Sequence, residues 1–317
     1  MIKIRWLPVG RHYKKELPGL NLLLNLIHKK MIAGSINMSF KPKKSMIRSI
    51  LAPTDFSDVG NNAVDYAVEL AKHTRASVTL FHCFHIPVMA GESMVVPIPF
   101  EDLEKDSLDG LTNYKKKLNA LHPEVSVDIV SKVGFAADEI AEYVNDHQPD
   151  LIVMGIAGSG SFDQLLGSIS TAVAKSSKTP VLIVPPARKF TALENIVVAF
   201  DLKEIENTES VNIVLDLAKL FNSKITALNV REHEVVDSAE ALGAMQANDL
   251  LEGVPHTMVN VTDDSPVEGI DHYTESHTVN LLAMIKRKHS LLDSLMHGSN
   301  TYKMAFHTHV PLLVLHE

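Results

Sequence analysis

Three short segments in the first half of the chain carry residue types and spacings that could hold an anionic, nucleoside-like ligand. Asp55 follows the apolar run Ile47-Arg48-Ser49-Ile50-Leu51-Ala52-Pro53. Cys83 closes the run Ser77-Val78-Thr79-Leu80-Phe81-His82-Cys83, and Gly155-Ile156-Ala157-Gly158 comes directly after Leu151-Ile152-Val153-Met154. Further on, Gly167-Ser168-Ile169-Ser170 opens a helical stretch. Glycines let the main chain turn tightly and bring peptide N–H groups close to a ligand. A helix start adds free N–H groups and hydroxyls, a natural seat for phosphate. Taken alone, a glycine pair at a strand-to-helix turn is explained equally well by loop geometry, and without the Lys of a Walker loop this is not a P-loop.

These segments need a scaffold that brings them to one place. The apolar runs 47–53, 77–83, 125–130, 151–154 and 181–184 have the length and β-branched content of strands. Between them, Ala63, Ala67, Leu70 and Ala71 recur at spacings of three and four and predict a helix over 60–74. Helices are also predicted over 101–121, 136–145 and 168–176, with a proline-bearing loop over 85–99. Strands alternating with helices imply right-handed βαβ units and a parallel sheet covered on both faces. In such a sheet ligands sit beyond the carboxyl ends of the strands, where the winding reverses, and Asp55, Cys83 and Gly155 all fall at such ends.

The pattern then restarts after Pro185-Pro186, a stiff break suited to a linker. Asn195-Ile196-Val197-Val198-Ala199-Phe200-Asp201 repeats the first strand and its acid, and Ile225–Val230 matches the second strand. Asn280-Leu281-Leu282-Ala283-Met284 matches Asp150–Met154, His297–Thr301 matches Leu166–Ser170, and Val310–Leu315 matches Thr179–Val184. So many matches in one order imply a tandem duplication, with copies at 46–187 and 192–317.

A length of 317 residues suits two domains of ordinary size. The 45% apolar and 21% charged composition is that of a globular protein. A net charge of −8 opposes binding to nucleic acid, which depends on clustered Lys and Arg. The single cysteine excludes an internal disulfide and suits a reducing cytoplasm. Residues 1–45 read as a poorly ordered extension of no assigned function. Their apolar run, Leu20 to Ile27, is eight residues long with two Asn inside, far short of the ~20 that a membrane helix needs.

The Pro53-Thr54-Asp55-Phe56-Ser57 start, the Leu80-Phe81-His82 strand and the Gly155-x-x-Gly158 loop followed by Gly167-Ser168 resemble the universal stress protein family, over both copies. That resemblance implies two doubly wound, Rossmann-like domains of the adenine nucleotide alpha hydrolase-like kind, each with a five-stranded parallel sheet. In ATP-binding members an Asp at the position of Asp55 contacts the nucleoside, and the glycine loop holds the phosphates. The implied contacts are Pro53, Asp55, Cys83, Met154, Gly155, Gly158, Gly167, Ser168 and Ser170, with ATP and Mg2+ as ligands. The family also pairs domains through the final strand, which implies that Val181–Val184 meets Leu312–Leu315 inside this chain as an internal pseudo-dimer; whole chains could also form a homodimer.

The first copy departs from the family's spacing, since Ser159–Leu166 is eight residues where the second copy has nine between Lys288 and Gly298. The second copy has Ile285 and Lys288 in place of the glycines, and is expected to be structural. The leading expectation is therefore a stress-response nucleotide-binding module whose first copy, on taking ATP, changes the surface offered to a protein partner. The alternative is a scaffold with both pockets degenerate. The 16 histidines, His82, His85, His307 and His309 among them, show no metal-binding spacing. Asp271-His272 with Ser265 lacks a nucleophile elbow, so no enzyme activity is expected. Cys83 reads as a buried small hydrophobe.

Overall fold

The computed structural model describes residues 47–86, 99–156, 168–186, 188–200, 209–231, 238–286 and 310–316. The first copy forms β1 (Ser49–Pro53), α1 (Asp58–Thr74), β2 (Ser77–Phe84), α2 (Phe100–Leu121), β3 (Val127–Val133), α3 (Ala136–His147), β4 (Leu151–Gly155), α4 (Ser168–Ser176) and β5 (Val181–Val184). The second forms β6 (Asn195–Ala199), α5 (Asn212–Phe221), β7 (Lys224–Arg231), α6 (Ser238–Leu250), β8 (His256–Thr262), α7 (Pro266–Ser276), β9 (Leu281–Lys286) and β10 (Leu312–His316).

Each copy is a five-stranded parallel sheet, as expected. The two merge into one ten-stranded sheet of order β3-β2-β1-β4-β5-β10-β9-β6-β7-β8. The seam is the expected pairing of β5 with β10. It is antiparallel, with Leu312 opposite Ile183, Leu313 opposite Leu182 and Val314 opposite Val181. The largest displacement of a boundary in the first copy is in strand three. It runs over Val127–Val133 rather than 125–130, because Val125 closes a turn through its N–H to the His122 carbonyl, while Ser131 and Lys132 still pair with His82 and Cys83.

Alternation along the strands sends side chains to two apolar layers. Ile50, Ala52, Leu80 and Val153 pack under α1, α2 and α5, and the same layer runs on through Ile196, Val198 and Leu313. Leu51, Phe81, Ile152 and Met154 pack on the opposite face with Ile140, Val144 and Val173 of α3 and α4, and this layer also continues, through Val197, Leu282 and Val314. Both layers therefore cross the seam.

The duplication is repeated in detail at both ends of the first strand of each copy. Asp150 accepts the N–H of Ser49, and Asn280 accepts the N–H of Asn195. Thr54 N–H donates to the Phe81 carbonyl, and Phe200 N–H to that of Leu228. Residues 1–46 and 87–98, Asp201, Lys288, Gly298-Ser299, His307 and His309 lie outside the described residues.

Candidate functional site at the carboxyl ends of β1, β2 and β4

The winding reverses between β1 and β4. From β1 the chain goes to β2 on one side, and β4 lies on the other. The turn after β1 is tightly specified. Thr54 Oγ1 accepts from the Phe56 N–H at 3.0 Å, the Asn61 amide donates to the Phe56 carbonyl at 3.0 Å, and Phe56 itself sits at φ 62, in the left-handed region. Ser57 caps α1 by accepting from the Gly60 N–H at 3.1 Å.

Within this turn Asp55 is exposed, and its two oxygens differ. Oδ1 accepts from both the N–H and the hydroxyl of Ser57, at 3.0 and 2.5 Å. A Cβ on Gly60 would lie 2.6 Å from Oδ1, so glycine is what allows the carboxylate to rest against the first turn of α1. Oδ2 has no hydrogen-bond partner among the described residues. The negative charge at the helix start is favourable in itself.

Gly155 ends β4 against the same helix. A Cβ there would come within 2.7 Å of the Val59 carbonyl oxygen and 2.8 Å of its Cγ1. Ser170, buried in the first turn of α4, donates its hydroxyl to the Gly155 carbonyl at 2.7 Å. Asp55, the start of α1, Gly155 and Ser170 thus form one contiguous rim. Pro53 is the last residue of β1, and Met154, 5% exposed, packs beneath the opposite face.

Cys83 lies apart from Asp55, on the α3 side of the sheet. It is half-buried rather than buried, and its thiol donates to the Gly134 carbonyl at 3.2 Å, which corrects its reading as a simple apolar filler. Burial and the nearby Glu139 carboxylate push the thiol pKa up, so the group stays protonated and a poor nucleophile. Ser168 begins α4, but its side chain, like Gly158 and Gly167, lies outside the described residues.

Sequence reasoning gave no role to the support beneath the turn. The Phe56 ring lies 4.5 Å from the His82 ring, centroid to centroid. His82 Nδ1 is 2.7 Å from Ser107 Oγ on α2, which is 2.6 Å from Ser131 Oγ on β3. Burial lowers the His82 pKa, against the opposing pull of the Asp55 charge. Only the polar residues among apolar ones in β2 and α2 hinted at this network.

At the corresponding end of the second copy, Ile285 stands where the first copy has Gly155, with its side chain buried at 7% exposure. Ser265 caps α7 by accepting from the Glu268 N–H at 3.4 Å, while Asp263, not Asp271, meets His272, at 3.3 Å.

The sequence model described as the universal stress protein family matches residues 46–185 and again residues 192–316. The chain belongs to the universal stress protein family. Among its relatives, universal stress protein MJ0531 of Methanocaldococcus jannaschii is 27% identical over 163 residues, 49% of this chain and 91% of the relative. Universal stress protein YxiE of Bacillus subtilis is 34% identical over 149 residues, 44% of this chain and 99% of its own. Each covers about half of this universal stress protein, as one copy of two would. The crystal structure of a universal stress protein from Archaeoglobus fulgidus aligns over 86% of this chain and 97% of its own, with a TM-score of 0.66 at 18% identity, a likeness of fold.

Proposed function

We propose that the first copy binds an adenine nucleotide at the rim formed by Asp55, the start of α1, Gly155 and Ser170, and that occupancy regulates what the protein presents to a partner. The observation that carries this reading is the Asp55 carboxylate. One oxygen is fixed by Ser57 and the other is unpaired, at the switch point where a doubly wound sheet takes its ligands. A carboxylate oriented in this way accepts hydrogen bonds from a nucleoside's hydroxyl or amino groups. Family membership supports the same assignment, since ATP-binding members use an Asp at this position. Asp55 and Asp58 crowd the start of α1 with negative charge, so the triphosphate belongs toward α4, where Ser170 ties the helix start to β4. A Mg2+ ion would be held chiefly by the phosphates themselves.

The buried Ile285 side chain supports a different role for the second copy, as the structural partner that completes the sheet. Isothermal titration of ATP into the intact protein tests the proposal. Binding is expected in the native chain and its loss in Asp55→Ala, with the thermal midpoint little changed because Asp55 is exposed. No heat and no thermal stabilisation by ATP in the native chain would overturn the nucleotide reading and favour a scaffold with neither pocket in use.

A further inference from the structure

The Asp55 turn is held from below by a stack that no ligand would touch directly, and its geometry is specific. Phe56 has a left-handed backbone, φ 62, which is costly for a residue with a bulky side chain. Its ring lies over His82 at 4.5 Å with the planes 39° apart. On the other side it faces α2 at Gly110, where a Cβ would fall 2.9 Å from Phe56 Cζ and 3.2 Å from Cε2. Gly110 sits within α2, where Ala would favour the helix, so the glycine leaves room for the ring rather than serving the helix. His82 is fixed in turn by Ser107, and Ser107 by Ser131. The second copy has a counterpart of the pair at the base of this support. Asn229 and Asn260 occupy the paired positions on β7 and β8 that His82 and Ser131 occupy on β2 and β3, and are joined at 3.1 Å.

We propose that Phe56, wedged between His82 and Gly110, is a positioning residue that sets the Asp55 carboxylate for its ligand. The inference rests on the nucleotide reading of that site. Phe56 adjoins Asp55 in the chain, and the left-handed bend at Phe56 brings the Ser57 N–H and hydroxyl back onto Asp55 Oδ1. With the ring removed, only the hydrogen bonds of the Phe56 main chain with Thr54 and Asn61 remain to offset the cost of that bend. The turn relaxes toward the favoured regions of the backbone, and the carboxylate loses its fixed direction. Because α2 carries both Gly110 and Ser107, the position of this helix on the sheet reaches the binding turn through the ring.

The test uses the intact chain with two substitutions that act on the ring from opposite sides, Phe56→Ala and Gly110→Ala. ATP is the probe, read by isothermal titration, with the thermal midpoint and the amide exchange rate of Ser57 measured alongside. Both variants are expected to bind ATP about tenfold more weakly, as a preorganised contact is lost. Ser57 exchange should be accelerated in both. In Gly110→Ala the gain in helix propensity offsets part of the cost of displacing the ring, so its thermal midpoint should fall less than that of Phe56→Ala. A similar loss of affinity in two variants that differ in stability separates positioning from general destabilisation. Native ATP affinity in both variants, or Ser57 exchange at the native rate, would overturn the inference. Should the native chain bind no ATP, the nucleotide reading falls by itself. Ser57 exchange then still decides the wedge: accelerated exchange supports a ring that holds the turn, and an unchanged rate refutes it.

Discussion

His82 shows how one side chain can report on the site without facing a ligand. It is half-buried, its Nδ1 engages Ser107, Phe56 lies on its ring, and burial draws its pKa below the ordinary 6.5 while Asp55 pulls the other way. Well above pH 6.5 the imidazole is neutral in the folded and the unfolded chain alike, and this contribution to stability is fully present. As the pH falls below 6.5, the unfolded chain takes up the proton first. Stability is therefore lost as pH falls through the window between 6.5 and the lowered folded value. Urea midpoints measured across that window should drop for the native chain and drop less for His82→Asn, which carries the amide side chain used at Asn229. An equal drop in both would assign the acid sensitivity elsewhere. Asp55 stood out in the sequence because it directly follows the apolar run of a strand. Phe56 did not. An aromatic residue in a turn gives no sign that it adopts φ 62 or that Gly110, far along the chain, makes room for it.

Gly155 carries its lesson at the scale of the element. By type and position it is a candidate for close approach to a ligand, yet its nearest neighbours are atoms of Val59 in the first turn of α1. The close packing of β4 against α1 is sufficient reason for a glycine there. Gly155→Ala is expected to destabilise the fold by about 1–3 kcal/mol, the usual range for forcing extra volume into a packed contact. Urea denaturation with an unchanged slope is the measurement. Because the displaced element begins beside Asp55, this variant should also weaken nucleotide binding through the shift of α1 at the rim. Native stability would show that the helix gives way easily and return Gly155 to the list of direct contacts. The elements of the first copy could be read from the sequence wherever the apolar period was clean, as in α1 with its buried Ala63, Ala67 and Ala71. In the second copy α5, α6, β8 and α7 were not read from the sequence. Small residues spread around α6 leave no distinct stripe, and β8 alternates polar with apolar residues at an edge of the sheet. The start of α7 was marked all along by Ser265-Pro266-Val267-Glu268, a capping sequence with proline in the first turn.

For the molecule as a whole, the question is whether two copies in one chain behave as one body. The β5–β10 seam leaves β3 and β8 as the two outer strands, so the edge that a separate domain would offer to a partner is closed within the chain. The linker adds a second tie. Asn62 on α1 donates to the carbonyls of Pro185 and Arg188 at 3.3 and 3.1 Å. Phe190 follows, with its ring 5.1 Å from Tyr66 and 5.4 Å from His73 on α1, and 5.9 Å from Phe221 on α5. Both apolar layers run across the seam, and Phe190 packs at the edge of one of them. These contacts predict a single cooperative unfolding transition, with equal calorimetric and van't Hoff enthalpies. Phe190→Ala removes the aromatic tie but leaves the strand pairing. Since the ring is only partly buried, its loss should cost roughly 2 kcal/mol, below the range for a full core position, and the cost falls on the junction rather than on either core. The calorimetric trace is then expected to broaden or split as the copies begin to unfold separately. A sharp single transition shifted to lower temperature would instead mean that the β5–β10 seam alone keeps the two copies together. In that case the copies would answer as one unit to a ligand at Asp55 even with the linker contact gone.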